Sequence, residues 1–503
     1  MISLEQLKSS INQFCSQYLP EKVDNYKTGK VIHDTTWGTN YFEPHEISLI
    51  NTPILQRLRY ISQMGFTSFI YPSARHSRFE HSLGVTSFVE KMLSYPSLNG
   101  DNLISKKDII SIRLSAILHD VGHCLYSHTS ELVYGIWLDD LIKEEFGNKM
   151  VDPSPHEFLS YLVIMSDSFN EYFKRLSKHY KLNIDLKEIA FRIVGWTATE
   201  SKRYITSFIN GPFDADKIDY FHRDSQFSGI PIQIDLDRLL YEIAISDVSK
   251  LSDTRKKIFD LTVGLKGVTC IEQIIFNKMM LYSTVYNHHK VQAMDCMFKG
   301  VFEYIEKKNI EVKINGKLKK IDSPVDFLYM VDYDLFSIMN DIDDAKLKEL
   351  IKNIQNRKLL KRAIIINHNT IKSGDFLPLL STKFNRFARE KYLRSIVNMI
   401  CSHVHVDCDP SEVWIDIPKA PSFKEASMTF IRTSKDKKKT NFKPISYYYP
   451  YSQFSNLYTL HKLDCHVFAP ENCVNEISKS AREVFKSELE IEFYDEALPY
   501  LEH

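Results

Sequence analysis

The sequence predicts a mostly α-helical protein, with a large helical core followed by a smaller α+β C-terminal region. Three observations carry this. From about Lys30 to Val301, apolar residues recur at three- and four-residue spacings, as in IISIRLSAILHD (109–120) and FLSYLVIM (158–165). That is the period of an amphipathic helix. After about residue 400 the period gives way to short runs, HVHVDCD, EVWIDIP, ASMTFIRT and CHVFAP, which suit strands. With 16 Gly and 18 Pro in 503 residues, the chain is poor in the residues that build long flexible linkers.

Taken in order, residues 1–27 form a helical lead-in. Leu4, Leu7, Ile11, Phe14 and Tyr18 lie on one stripe, without the continuous apolar stretch of a secretory signal. Residues 28–300 form the core. Within it, Asn51 is expected to cap a helix that starts at Pro53, and Pro72 to sit in a loop. Residues 301–503 form the α+β region. It opens with EVKINGKLKKI (311–321), where Asn315-Gly316 between short apolar runs reads as a hairpin with a type I′ turn. Residues 325–365 return to helical spacing, and ENCVNEISKSAREVFKSELEIEF closes the chain as a helix and a short strand. The lysine-rich TSKDKKKTN (433–441) is expected to be a solvated loop.

Lys plus Arg and Asp plus Glu both number 64, so the formal charge is zero. Wholesale attraction to nucleic acid or to an anionic membrane is not indicated. No run of 18 apolar residues is present, so no membrane span is expected. Eight cysteines without a CxxC pair suit reduced thiols in a cytoplasmic protein.

The chemistry concentrates in SRFEHSLGV (77–85) and AILHDVGH (116–123). An adjacent His-Asp offers a metal one imidazole and one carboxylate. The chain holds a second such pair, His33-Asp34, which stands outside a helical run and reads as a turn or strand-end pair. His119-Asp120 differs: Leu114, Ile117 and Leu118 mark the buried stripe of a preceding helix, and Gly122 is expected to stop it. His123 and His128 follow closely. Further ligands must come from other helices, and His81 and Asp216 are the candidates. In GPFDADKIDYFHRDS (211–225), Asp216, Tyr220 and Asp224 fall at i, i+4 and i+8 of a helix, bordered by Lys217. A solvated, ion-paired face would show the same pattern. Two imidazoles with two carboxylates suit Mn, Fe, Ni or Zn better than Mg.

The order His, His-Asp, Asp on a helical scaffold resembles the HD-domain metal phosphohydrolases. The stretch NTPILQRLRYISQMG…YPSARHSRFEHSLGV…LHDVGHCLYSH…DADKIDYFHRD, over roughly residues 28–300, is similar to their deoxynucleoside triphosphate triphosphohydrolase branch. That branch includes bacterial dGTPase-like enzymes and the vertebrate sterile-alpha-motif-and-HD-domain protein. The resemblance implies an HD-domain core that cuts a dNTP at the α-phosphorus, releasing deoxynucleoside and tripolyphosphate. It implies that His81, His119, Asp120 and Asp216 hold the divalent transition metal, with Mg²⁺ accompanying the triphosphate. His128 becomes the acid/base at the leaving 5′ oxygen, with His123 beside it. Arg78, His123, His156, Lys217 and Tyr220 surround the triphosphate. Asp224 faces the sugar 3′ hydroxyl, and Gln63 and Met64 lie beside sugar and base. Lys30, Val31, Gln56 and Arg59 match an allosteric nucleotide pocket between subunits, which implies a homo-oligomer, a dimer or tetramer.

Bland readings stand beside these roles. His123 can cap a helix, His156 can begin one, Arg78 can pair with Glu80 or Asp216, and Tyr220 can be a core tyrosine. The chain also departs from the branch. Asn51 stands where an aspartate reads a guanine activator. Asn287 aligns with a tyrosine that packs on deoxyribose, with Tyr286 one residue away, and Met279 aligns near a triphosphate arginine, with Lys278 beside it. Two alternatives therefore accompany the dNTP reading. One is an HD phosphohydrolase for another nucleotide or phosphate ester. The other is a catalytically silent nucleotide- or nucleic-acid-binding HD protein, supported by the lysines at 313–320 and 435–439.

Overall fold

The computed structural model describes residues 2–99, 103–147, 151–197, 199–251, 257–374, 386–404, 408–418, 423, 429–434 and 441–498. Helix α1 (Leu4–Tyr18) starts at a capping box, Ser3 and Gln6 satisfying each other's backbone N–H. Its stripe of Leu4, Leu7, Ile11 and Phe14 is buried. The core helices follow: α2 (Arg78–Ser94), α3 (Lys106–Leu118), α4 (His128–Tyr134), α5 (Pro155–Met165), α6 (Asp167–Tyr180), α7 (Ala215–Ser228), α8 (Val268–Leu281) and α9 (His289–Lys308). Helix α2 packs against both α3 and α7 and is buried on nearly every face. A helix in that position carries no polar stripe.

The protein is mostly helical, but the helical reading of 30–301 misses four strands. β1 (Lys30–Asp34) pairs antiparallel with β2 (Gly38–Phe42), and β3 (Ile243–Asp247) with β4 (Phe259–Gly264). β1 and β2 are short and mostly solvent-facing, so their two-residue period is masked by polar residues on both faces. The capping expectation also shifts by one residue. Asn51 closes the helix Pro44–Ile50, and Thr52 precedes Pro53 at the next helix start.

In the C-terminal part, β5 (Val312–Ile314) and β6 (Lys317–Lys319) form the expected hairpin, with both Asn315 and Gly316 at positive φ. Residues 325–365 are helical up to Gln355 and then turn into β7 (Lys361–Ile366), whose Ala-Ile-Ile-Ile run is β-branched and largely buried. β8 (Ile371–Ser373), β9 (Trp414–Asp416), β10 (Phe430–Arg432), β11 (Phe442–Pro444), β12 (Cys465–Ala469) and β13 (Glu492–Phe493) complete the strands. One sheet has the order β7-β12-β9, and α10 (Val474–Leu489) packs on it. Another runs β11-β10-β4-β3, with β10 parallel to β4. That sheet joins strands from both sides of residue 300. The expected strand at HVHVDCD is a turn at His403, and residues 405–407, like the lysines at 435–439, lie outside the described residues.

All eight cysteines are free thiols. Among the described residues, no helix is long and apolar enough to cross a membrane.

Candidate active site

Three helix ends converge on one point. Ser77 and Glu80 form a capping box that starts α2, placing Arg78 and His81 in its first turn. His119 is the C-cap of α3, with Asp120 next in the turn. Asp214 caps α7 and sets Asp216 in its first turn. The result brings His81 Nε2 within 3.3 Å of His119 Nε2 and 3.0 Å of Asp216 Oδ1. Asp120 Oδ1 lies 3.4 Å from His119 Nε2, and Asp120 Oδ2 lies 3.7 Å from His81 Nε2.

Ligand atoms of His81, His119 and Asp216 lie close enough together to hold a metal ion, and Asp120 stands beside them with its Oδ2 taken by Arg78. The His119 Nδ1–H donates to the Ala116 carbonyl at 2.7 Å, and the His81 Nδ1–H donates to Asp219 at 2.7 Å. Each ring therefore turns an Nε2 lone pair toward the same point, with carboxylates at its edge. Facing lone pairs in a buried site need a cation between them. Burial opposes charge on His81, but Asp216 and Asp219 hold its pKa up at about 10. Burial would raise the Asp216 pKa, and His81 and His119 bring it down below the usual carboxylate range.

Two glycines make this convergence possible. A methyl group on Gly84 would overlap the Asp219 carboxylate and the Arg223 guanidinium where α7 crosses α2. A methyl group on Gly122 would strike the backbone of α5 at His156 and Ser160. Gly122 has no positive φ, so its role is this close approach and not the left-handed helix stop expected from sequence.

Around His81, His119, Asp120 and Asp216 lies a second group of polar residues. Arg78 is buried and donates to Asp120 Oδ2 at 2.9 Å and to Ser127 Oγ at 2.8 Å, so its partner is neither Glu80 nor Asp216. Tyr126 and Ser127 both have positive φ, a costly conformation for these residues, and they aim His128 at the start of α4. Hydrogen bonds from the Tyr126 N–H to Asp332 and from the Ser127 hydroxyl to the Ser62 carbonyl hold that turn. His128 is 64% exposed at its side chain, at the lip of the site. Glu131 Oε1 lies 2.8 Å from both His128 Nδ1 and His156 Nδ1. His156 stands in the first turn of α5, and its ring stacks on His123 at 3.9 Å.

The charges in this group are ordered. Burial pushes the His123 pKa well below its usual value, and Arg78 and His156 add to that. Burial would raise Glu131, but His128 and His156 hold its carboxyl well below the carboxylate range. Burial lowers His156, and Glu131 more than compensates, so its pKa is raised.

Beside Asp216 on α7, Lys217 Nζ contacts Asp214 Oδ2 at 2.6 Å and the Gly211 carbonyl at 3.0 Å. Burial lifts the Asp214 pKa to about 6 despite that lysine. Tyr220 is half-buried against Phe221. Asp224 is engaged by His76 Nε2 at 2.7 Å and by the Tyr286 hydroxyl at 2.5 Å. Residues Tyr282–Tyr286 form a π-helical turn, which inserts one residue into the helical register. This turns Tyr286, not Asn287, toward Asp224. Gln63 and Met64 are buried, and Gln63 Oε1 has no hydrogen-bond partner.

The four residues matched to an allosteric pocket are split. Lys30, Asn51 and Arg59 line a cleft of about 210 Å³ beside Asp34, Phe79 and Glu80. Gln56 holds Arg59 through a 2.7 Å hydrogen bond without lining that cleft, and Val31 is exposed. Arg59 also stacks on the Phe79 ring at 3.7 Å.

Sequence reasoning missed Asp219, Glu131 and His76, and named Tyr286 only as the neighbour of Asn287. Asp219 was legible as the third aspartate of DADKID with Arg223 four residues on, a helical ion pair. Glu131, three residues after His128 on a helix, carried the same kind of signal. His76 reaches Asp224 across a long separation and left no local sign.

Residues 78–223 match the HD domain, and residues 234–492, more than half of the chain, match the HD associated region. The chain belongs to the HD-domain family. An uncharacterised protein of Methanocaldococcus jannaschii is 27% identical over 83% of this chain and 75% of its own length. The deoxynucleoside triphosphate triphosphohydrolase SAMHD1 homolog of Dictyostelium discoideum is 28% identical over 67% of this chain, and mouse SAMHD1 is 28% identical over 71%. The match covers 60% and 57% of those two proteins.

Proposed function

We propose that this protein is a metal-dependent phosphohydrolase that splits deoxynucleoside triphosphates into deoxynucleoside and tripolyphosphate. One observation carries the reading: the Nε2 atoms of His81 and His119 each lie 3.0–3.9 Å from carboxylate oxygens of Asp216 and Asp120, beside a shell of Arg78, His123, His128 and His156. The named triphosphohydrolase relatives support the choice of substrate class. A divalent ion held by the four ligands supplies Lewis acidity toward a phosphoryl oxygen.

The chain's own residues do the rest. Arg78, Lys217 and the imidazoles neutralise the triphosphate. Water adds to the α-phosphorus, the bond from phosphorus to the 5′ oxygen breaks, and His128 gives that oxygen a proton. Glu131 holds His128 through Nδ1, which leaves Nε2 as the nitrogen that exchanges the proton. Tyr286 and Asp224 form a wall at the sugar. Its packing supports preference for a sugar without a 2′ hydroxyl. The cleft at Lys30, Asn51 and Arg59 serves a regulatory nucleotide at a subunit contact, and its Asn51 amide lacks the two acceptors a guanine edge requires.

Purified protein incubated with each of the four dNTPs and four NTPs, with Mn²⁺ or Mg²⁺, tests the reading by anion-exchange separation of products. Deoxynucleoside and tripolyphosphate are expected. Monophosphate with pyrophosphate rejects cleavage of the bond between the α-phosphorus and the 5′ oxygen, and equal turnover of NTPs rejects the sugar wall.

A further inference from the structure

His123 is fully buried, yet neither of its ring nitrogens has a hydrogen-bond partner. Buried polar groups are nearly always satisfied, so an orphaned imidazole asks for a ligand. Its surroundings name the kind. The ligand atoms of His123, His128, Glu131 and His156 all lie within 4.8 Å of one another. Glu131 Oε1 is 2.8 Å from His128 Nδ1, 2.8 Å from His156 Nδ1 and 3.9 Å from His123 Nδ1. Metal–ligand bonds of about 2.0–2.2 Å in a tetrahedral site space the donor atoms roughly 3.3–3.6 Å apart. The observed separations bracket that spacing, and small side-chain rotations reach it.

We propose that His123, His128, Glu131 and His156 form a second metal site, selective for a zinc-class divalent ion. Three imidazoles and one carboxylate are a closed N₃O set, which suits zinc and leaves no open coordination position. With Nδ1 of His123 on this ion, its Nε2–H points to Asp120 Oδ1, 3.4 Å away. A metal-bound histidine that donates its second N–H to a carboxylate is the usual supporting arrangement. Here that carboxylate belongs to the other metal group, so His123 links the two sites. Occupancy of the second site takes His128 Nδ1 away from Glu131 and draws the ring inward from the lip. Zinc at this site therefore switches the enzyme off, whatever phosphate ester it cleaves.

Metal-stripped protein titrated with zinc chloride by calorimetry, with bound zinc counted by mass spectrometry after desalting, tests the site without an activity readout. Two zinc ions per chain are expected. The double variant Glu131→Gln, His156→Asn is expected to keep one, and His81→Asn is expected to keep the other. One zinc in the wild type, or two in the double variant, overturns the proposal. If a variant does not fold, wild-type crystals soaked in zinc and measured at the zinc edge decide. An anomalous peak among the four side chains supports the site, and peaks confined to the group of His81, His119, Asp120 and Asp216, or elsewhere, overturn it.

Discussion

Asp219 Oδ2 accepts the Nδ1–H of His81 at 2.7 Å, and both side chains are completely buried. The aspartate is itself gripped by Arg223, which pairs through its other edge with Asp34 at 2.9 Å. Trp37 adds an indole N–H. This chain fixes the tautomer of His81, the proposed metal ligand, from behind. Asp219→Asn is expected to weaken metal binding by about 10–100-fold, the usual cost of losing such a partner. Metal retained against a graded chelator series measures it, and unchanged retention would show that Asp219 serves packing alone.

His128 touches the cleft but none of the four HD metal donors. His128→Asn is expected to lower kcat by roughly 10²–10⁴-fold, the range for loss of a general acid. Metal at the HD site should remain, as counted per chain in the presence of saturating Mn²⁺. Loss of that metal together with activity would move His128 out of the proton-transfer role.

Gly84 leaves no room for a side chain beneath Asp219 and Arg223. Gly84→Ala is expected to destabilise the fold by about 1–3 kcal/mol, the range for overpacked sites. It should also loosen metal binding, because the same overlap displaces the support of His81. Thermal melting and metal retention should fall together. A melting temperature equal to wild type would mean that the two helices part without cost.

Asp416 is buried at the end of β9, and its Oδ2 lacks a partner. Burial pushes its pKa up to about 7, with Lys299 opposing and Glu390 adding to the rise. A raised carboxyl pKa means that the folded chain holds a proton which the unfolded chain releases near pH 4. The stability it contributes is complete below about pH 4 and is lost as pH climbs to about 7. Asp416→Asn should thus melt higher than wild type at pH 8 and show no such gain at pH 4. Parallel melting curves at both pH values would contradict this.

The helical class was legible, and so were the three segments that bring His81, His119, Asp120 and Asp216 together, because each sits at a helix terminus, where capping residues and a run of His and Asp are adjacent in sequence. Serine at 77 with glutamate at 80, and serine at 105 with aspartate at 108, both form capping boxes in the structure. What escaped lies at contacts between distant segments. The π-helical turn at Tyr282–Tyr286 shifts a register by one, and no local pattern marks it, so alignment by position led to Asn287. The pair His33-Asp34 looked like a bystander to the His119-Asp120 pair. It does lie on a strand, but Asp34 supports His81 through two intervening side chains, a contact that folding alone creates.

The parallel pairing of β10 with β4 has a practical side. Ile431 sits opposite Val263, and the Arg432 side chain donates to the carbonyl of Glu242. A protein cut after residue 300 would lose that neighbour and expose the unpaired edge of β4, a surface that recruits other chains. The helical half and the segment that follows it are therefore one unit for expression and for refolding, and dissecting the molecule at the end of α9 is expected to yield aggregates instead of a minimal enzyme.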